Sequence, residues 1–328
     1  MKEILKVKNL KTSFYTSNGE VQAVRGVDFE LNEGEILGIV GESGSGKSVT
    51  VKSIMNIVKP PGKIKEGEII FNNRNILTLK KEEIRKIKGN DIAMIFQDPM
   101  TSLNPVYTIG NQIYETIKVH SNLSKSEINK RVVSLLEIVK IPSAKERVKQ
   151  YPHEFSGGMR QRAVIAMALA NDPDILIADE PTTALDVTIQ DQILKLLKEL
   201  QIKENKSVIL ITHDLGVIAE MCQKVLVMYG GLIVEMASRE DIFYNPSHPY
   251  TIGLLNSMPK IDSKERLEAI PGTPPSLLEP PKGCPFSARC KHSMNLCNDY
   301  LPEFYEVNEH QKARCWLLND TVKKMKGQ

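Results

Sequence analysis

The chain has 328 residues, 41% of them hydrophobic and 25% charged, which is globular composition with room for a full core and more than one domain. A net charge of only +3 gives no ground for a nucleic-acid partner, which usually needs a dense basic face. No apolar run approaches the ~18 residues needed to cross a bilayer.

The opening MKEILKVKNL alternates and carries charge, so it predicts a strand rather than the apolar core of an export signal. A soluble or membrane-peripheral intracellular protein is expected. Alternation continues through Leu5, Val7, Val21, Ala23, Val27, Phe29 and Leu31, predicting antiparallel strands with polar turns such as SNGE. Residues 35–40, EILGIV, read as a short apolar strand, and residues 47–58 carry apolar side chains at helical spacing.

Between that strand and that helix lies GESGSGKSV, residues 41–49. Gly41-x4-Gly46-Lys47-Ser48 fits the phosphate-loop pattern in every position. Phosphate oxygens need donors converging from one side, and backbone amides at a helix start supply them with the help of the helix dipole. Gly44 and Gly46 permit the tight path. Lys47 places a cation near the outer phosphates, and Ser48 can ligate magnesium. Glu42, Ser43, Ser45 and Val49 complete the candidate nucleotide-binding stretch.

Residues 67–73 and 91–97 predict further strands, whereas residues 108–150 show amphipathic helical patterns with no strand among them. This reads as a helical insert, about residues 100–155, within an α/β domain. Residues 157–171 predict a helix with Ser156 as N-cap. Residues 174–180, DILIADE, predict a buried strand that ends in two carboxylates. A phosphate loop needs a metal-holding acid at the end of a neighbouring strand: Asp179 fits that role, and Glu180 can orient or deprotonate the attacking water. A helix over TIQDQILKLLKELQ, a strand over SVILITH and a strand pair over KVLVMYGGLIVEMA complete an α/β pattern.

Beyond about residue 240 prolines multiply and periodicity fades, so a boundary is placed there: residues 1–240 form one domain and 241–328 a small irregular region. Four of the five cysteines, Cys284, Cys290, Cys297 and Cys315, crowd into this region. Four thiolates suit zinc or an iron–sulfur cluster, and a staple of that kind would organise a segment with little core. His292 is an alternative ligand. Cys222 stands apart in a helical stretch and reads as buried.

At this point the chain resembles the ATP-binding-cassette ATPases. FSGGMRQR, 155–162, is similar to their signature motif, and ILIADEPTTALD to their Walker B and D-loop segments. Gln97 in IFQDP matches the Q-loop position, and His213 in LITHD matches the switch histidine. The resemblance implies an ABC-type P-loop ATPase fold with an antiparallel β subdomain and a helical subdomain. It implies that Ser156, Gly157 and Gly158 serve ATP bound in a partner subunit and that Asp186 communicates across that dimer. It further implies that Gln97 reaches the metal and the water, that His213 contacts the γ-phosphate, and that Phe14 or Tyr15 stacks on adenine. Met159 departs from the glutamine common at its position, so no role carries over to it.

NPSHPYTIGLLNSMP and IPGTPPSLLEPPKGCPFSARC are similar to the C-terminal region of oligopeptide and dipeptide permease ATPases. The implied activity is ATP-driven import of peptides, or of a related solute such as nickel, through two separate transmembrane permease subunits. The implied partners are a second, non-identical ATPase subunit and, indirectly, an extracytoplasmic solute-binding protein, with this chain peripheral at the cytoplasmic face of the membrane. The cysteines matching in that group imply a 4Fe-4S cluster ahead of zinc. The rival reading is a soluble cassette ATPase acting on nucleic acid or ribosomes; such proteins carry tandem cassettes or coiled-coil inserts, and this chain has one cassette and no heptad run.

Overall fold

The computed structural model describes residues 2–182, 186–258 and 269–325. The run 183–185 of the D-loop segment and Pro259 lie outside the described residues. The chain divides into two compact units, one of residues 3–31, 37–77 and 212–328, the other of residues 1–2, 32–36 and 78–211.

In the first unit, strands Glu3–Thr16, Gly19–Asn32, Gly62–Phe71 and Arg74–Asn75 form a four-stranded sheet in the spatial order second, first, third, fourth. The first and third run antiparallel, with a register shift between Lys8 and Lys11. Leu5, Val7, Leu10 and Leu31 are buried, while Lys11–Glu66 and Lys8–Glu68 pair across strands on the wet side. Such exposed pairs set register more than stability.

The same unit holds a second set of strands. Ile36–Val40 runs parallel to Lys224–Tyr229, which pairs antiparallel with Leu232–Ser238. Burial along Ile36–Val40 is complete, as expected of a strand covered on both faces. Gly38 lies against Cys222: a Cβ there would stand 2.8 Å from its Sγ. Cys222 is buried, and burial pushes its thiol up to about 12.

Two expectations are corrected here. The helix expected over 47–58 spans Lys47–Ile54. Asn56 turns left-handed at φ 48°, its N–H donates to Ser53 O at 2.9 Å, and the Ile57 N–H donates to Lys52 O at 2.9 Å. That is a Schellman stop, ending the helix four residues earlier than apolar spacing suggests. The region after 240 is also not wholly irregular. Gln311–Ala313 pairs antiparallel with Leu232–Ser238, and Tyr305–Asn308 pairs with Gln311–Ala313, so the C-terminal segment extends the sheet.

In the second unit, strands Ile92–Ile95, Ile175–Asp179 and Ser207–Ile211 run parallel in that neighbour order. All three are buried throughout. Helices Ile109–His120, Lys125–Ile138 and Ala144–Arg147 fill the stretch read as a helical insert. Thr108 caps the first, and Ser124 with Glu127 forms a capping box on the second. Helices Gly157–Ala168 and Val187–Glu204 bury Ile165, Leu197 and Leu200 among others. Arg162 crosses between elements, donating to Val139 O at 2.7 Å and to Gln192 Oε1 at 2.8 Å. Among the described residues, no helix is long and apolar enough to cross a membrane.

Candidate functional site

The phosphate-loop pattern lies in the first unit, between Ile36–Val40 and Lys47–Ile54. Gly46 has φ 103°, and a Cβ there would meet Ala23 O at 2.5 Å. Gly41 would place a Cβ 2.2 Å from Met228 O. Both positions demand glycine twice over, by conformation and by close backbone approach. Lys47 is 6% exposed, and its Nζ donates to Gly41 O at 2.7 Å and to Glu42 O at 3.0 Å. The cation is therefore curled over the loop it belongs to. Ser48 and Val49 are half-buried, and Ser43 and Gly44 are exposed. Ser45 Oγ is buried with no hydrogen-bond partner among the described residues, and the loop is open at Gly44, where a Cβ would meet nothing within 4 Å.

Phe14 and Tyr15 separate by strand alternation. Phe14 lies half-buried against Gly62, whose Cβ would stand 2.6 Å from Phe14 Cε1, whereas Tyr15 is 47% exposed. His213, one residue past Thr212, is exposed rather than packed. The turn behind it is fixed by Asp214, which caps helix Leu215–Met221 by accepting from the Gly216 N–H at 2.8 Å.

In the second unit, Asp179 ends its strand 3% exposed, and Glu180 follows in a left-handed conformation at φ 49°. The Glu180 N–H donates to Ile211 O at 3.0 Å, which holds that turn to the adjacent strand. Gln97 Nε2 donates to Glu180 Oε2 at 3.0 Å, so the structure brings together two sequence-predicted residues 83 positions apart. A hydrogen bond donated by an amide favours the charged form of the carboxylate that accepts it. Ser156 Oγ accepts from the Met159 N–H at 3.4 Å and caps helix Gly157–Ala168. Gly158 is buried, and a Cβ on it would lie 2.7 Å from Ile189 Cγ2. Asp186 is exposed at the start of Val187–Glu204 and makes no side-chain cap.

Cys284, Cys290, Cys297 and Cys315 line one cavity of about 20 Å³ with His248, Phe286, His292 and Trp316 among its walls. Burial pushes the Cys284 thiol up to about 11 and the Cys315 thiol up to about 12. Among the described residues no three His, Cys, Asp or Glu side chains are grouped to hold a metal ion. The expected cysteine-held metal is thus not supported by the structure: the thiols share a cavity without the convergence of an ion site.

Sequence reasoning missed three residues that the fold brings to the phosphate loop. Arg289 Nη1 donates to Glu42 Oε2 at 2.8 Å, and the Glu42 N–H donates to Tyr250 Oη at 2.9 Å. Arg25 donates to Gly230 O at 3.2 Å and to Pro281 O at 2.9 Å, beside the Gly231 N–H that donates to Ser45 O at 3.1 Å. No local pattern marks them, because their partners lie up to 256 positions away.

A model of the ABC transporter family matches residues 24–183, and a model of the oligopeptide/dipeptide transporter C-terminal region matches residues 234–297. The chain is 55% identical to the dipeptide transport ATP-binding protein DppD of Bacillus subtilis (strain 168), over 97% of this chain and 95% of that protein. It is 53% identical to the oligopeptide transport ATP-binding protein OppD of Escherichia coli (strain K12), over 91% of this chain and 89% of that one. Among solved structures, the ATP-binding cassette MJ0796, a dimer bound to ADP and Pi after hydrolysis, superposes with a TM-score of 0.65 at 29% identity, over 72% of this chain and 99% of that one.

Proposed function

Because the chain belongs to the ABC transporter family, as a relative of its dipeptide and oligopeptide ATP-binding subunits, we propose that it hydrolyses ATP to drive peptide import through separate membrane permease subunits. The observation that carries this reading is identity above 50% across nearly the whole chain, C-terminal region included, to proteins of that activity. A nucleic-acid or ribosome ATPase has no comparable support.

The residues take the following parts on this reading. Residues 41–49 wrap the triphosphate, and Lys47 exchanges its loop carbonyls for the outer phosphates. Tyr15, the exposed member of the aromatic pair, stacks on adenine. Ser48, Gln97 and Asp179 offer only oxygen donors, the hard set that magnesium takes, and would hold it. Held there, magnesium would supply positive charge to offset that of the phosphate oxygens. Glu180 accepts the proton of the attacking water while Gln97 holds its carboxylate, and His213 presents an imidazole to the γ-phosphate. Ser156, Gly157 and Gly158 place helix-start amides on the nucleotide of a partner ATPase, and Asp186 carries the state of one site to the other. Residues 1–240 form the nucleotide-binding domain, with its helical subdomain over about 100–155, and residues 241–328 form the transporter-type extension.

The assembly comprises this chain, a second and non-identical ATPase, and two permeases, docked at the cytoplasmic face and served by a solute-binding protein outside. On donor chemistry alone, Cys284, Cys290, Cys297 and Cys315 would hold a 4Fe-4S cluster as a structural staple. Brown colour and broad visible absorbance in anaerobically purified chain, lost in Cys290→Ser, are expected; colourless protein containing zinc or no metal would end that assignment. The import reading is tested by affinity purification from detergent-solubilised membranes. Two polytopic membrane proteins should co-purify and confer peptide-stimulated phosphate release in vesicles; recovery of RNA or ribosomal proteins instead would refute it.

A further inference from the structure

We propose that Arg289, supplied by the C-terminal region, is a positioning residue for the phosphate loop: it neutralises and braces Glu42, and so sets nucleotide affinity from outside the motif. The proposal rests on the reading of residues 41–48 as the ATP phosphate loop.

Glu42 is the second residue of that loop, and each of its polar groups is engaged. Its N–H donates to Tyr250 Oη at 2.9 Å. Its carbonyl accepts from the Ser45 N–H at 3.2 Å and from Lys47 Nζ at 3.0 Å. Its carboxylate accepts from Arg289 Nη1 at 2.8 Å. A shift of Glu42 therefore moves the turn at Ser45 and the perch of Lys47 together. Its charge is also of the wrong sign for its surroundings: a carboxylate within a loop built to collect phosphate oxygens repels the triphosphate unless a cation cancels it.

Arg289 is built to be that cation. Its side chain is 7% exposed, against 25% for Glu42. Besides Glu42, it donates to Tyr229 Oη at 3.0 Å, to Ile270 O at 3.1 Å and, through Nε, to Pro271 O at 2.7 Å. Its guanidinium lies 5.7 Å from the Tyr229 ring centroid and 6.0 Å from that of Phe286. Tyr229, Tyr250 and Phe286 pack against one another, with centroids 4.5–5.4 Å apart. A planar fork saturated in this way has little freedom to leave the carboxylate, which a lysine in the same place would have. The Arg289–Glu42 pair thus joins the segment around Cys284 and Cys290 to the loop that would hold ATP.

The test is affinity for a fluorescent ATP analogue, measured on the full-length chain at several salt concentrations, with thermal unfolding recorded for every variant. Arg289→Ala should weaken binding about tenfold and Arg289→Lys about threefold, as expected when one partner of a desolvated charge pair is truncated or poorly replaced. Removing the exposed charge as well, in Arg289→Ala with Glu42→Gln, should return affinity to within about threefold of the parent, with the recovery largest at low salt. A merely structural role predicts no such rescue. Binding within about twofold of the parent in Arg289→Ala, or a double variant as weak as the single one, would overturn the proposal. If Arg289→Ala does not fold, Arg289→Lys decides: with thermal unfolding close to the parent it should bind about threefold more weakly, and binding equal to the parent would overturn the proposal. Lys47→Ala separates the two readings. If it too binds like the parent, the phosphate-loop assignment fails; if it loses ATP while Arg289→Ala does not, only the Arg289 inference fails.

Discussion

Replacing Glu180 by glutamine tests the chemistry with the least disturbance of the fold. The carboxylate accepts one hydrogen bond from Gln97 Nε2 at 3.0 Å, and a glutamine oxygen can accept the same bond. The backbone at φ 49° is equally strained for both side chains, so stability should change by less than about 1 kcal/mol. What disappears is the base. Loss of a positioned general base slows turnover about 10²–10⁴-fold, or about 3–5 kcal/mol in the barrier. The assay is phosphate release by the assembled transporter, beside ATP affinity and denaturant unfolding of the same variant. ATP binding should persist, and the ATPase pair should accumulate closed around unhydrolysed nucleotide. A Glu180→Gly variant sharpens the reading: it relieves about 1–2 kcal/mol of left-handed strain against about 0.5–1 kcal/mol of added chain entropy, so it should be as stable as the parent or slightly more so, and equally inactive. Turnover of Glu180→Gln within about tenfold of the parent would refute the assignment, because a glutamine amide cannot accept the water's proton.

Three further outcomes follow from local geometry. Gly46→Ala sets a Cβ 2.5 Å from Ala23 O at φ 103°; it should cost about 1–3 kcal/mol of stability and abolish ATP binding, and a variant that binds normally would remove the loop from the site. Arg162→Ala strips donors from Val139 O and Gln192 Oε1 in a part-buried setting; equilibrium unfolding should show a loss of about 2–3 kcal/mol, and a loss under about 0.5 kcal/mol would mean that water replaces both bonds. His248 is 1% exposed, and burial holds its pKa down at about 3. The unfolded chain binds that proton near 6.5 and the folded chain does not, so its contribution is complete above about pH 6.5 and is lost on acidification toward 3, at about 1.4 kcal/mol per pH unit. Unfolding at pH 5.5 and 4.5, where the unfolded imidazole is almost fully protonated, should show that loss in the parent and not in His248→Gln; equal slopes would mean that the imidazole is already charged in the fold.

What could be read from the chain divides along a physical line. The phosphate loop, the acid-ended strand and the Ser156 cap were legible because each is a local solution to a backbone problem. Glycine is needed where a Cβ would strike a carbonyl, and a serine where a helix leaves amides open. The parallel strands were legible because burial on both faces leaves uninterrupted apolar runs such as ILIA in 175–178. The end of the Lys47–Ile54 helix was not, since Asn56 stops it by a conformation that apolar spacing does not register. The Tyr305–Asn308 and Gln311–Ala313 pair was hidden by its brevity and by the surrounding prolines. The choice between Phe14 and Tyr15 needed the sheet itself, since strand alternation says that one faces out but not which. Cysteine spacing foretold that four thiols gather around one cavity, but not that, among the described residues, no three ligand side chains are grouped to hold a metal ion. Arg289 lies at the opposite extreme. Nothing in PFSARC distinguishes it from a surface arginine, and its meaning arises only when the fold sets it against Glu42, 247 positions earlier. Motifs record the groups that must touch the nucleotide; the residues that hold those groups in place are recorded only in the packing, where a single buried arginine can govern a loop that its own neighbourhood in the sequence never mentions.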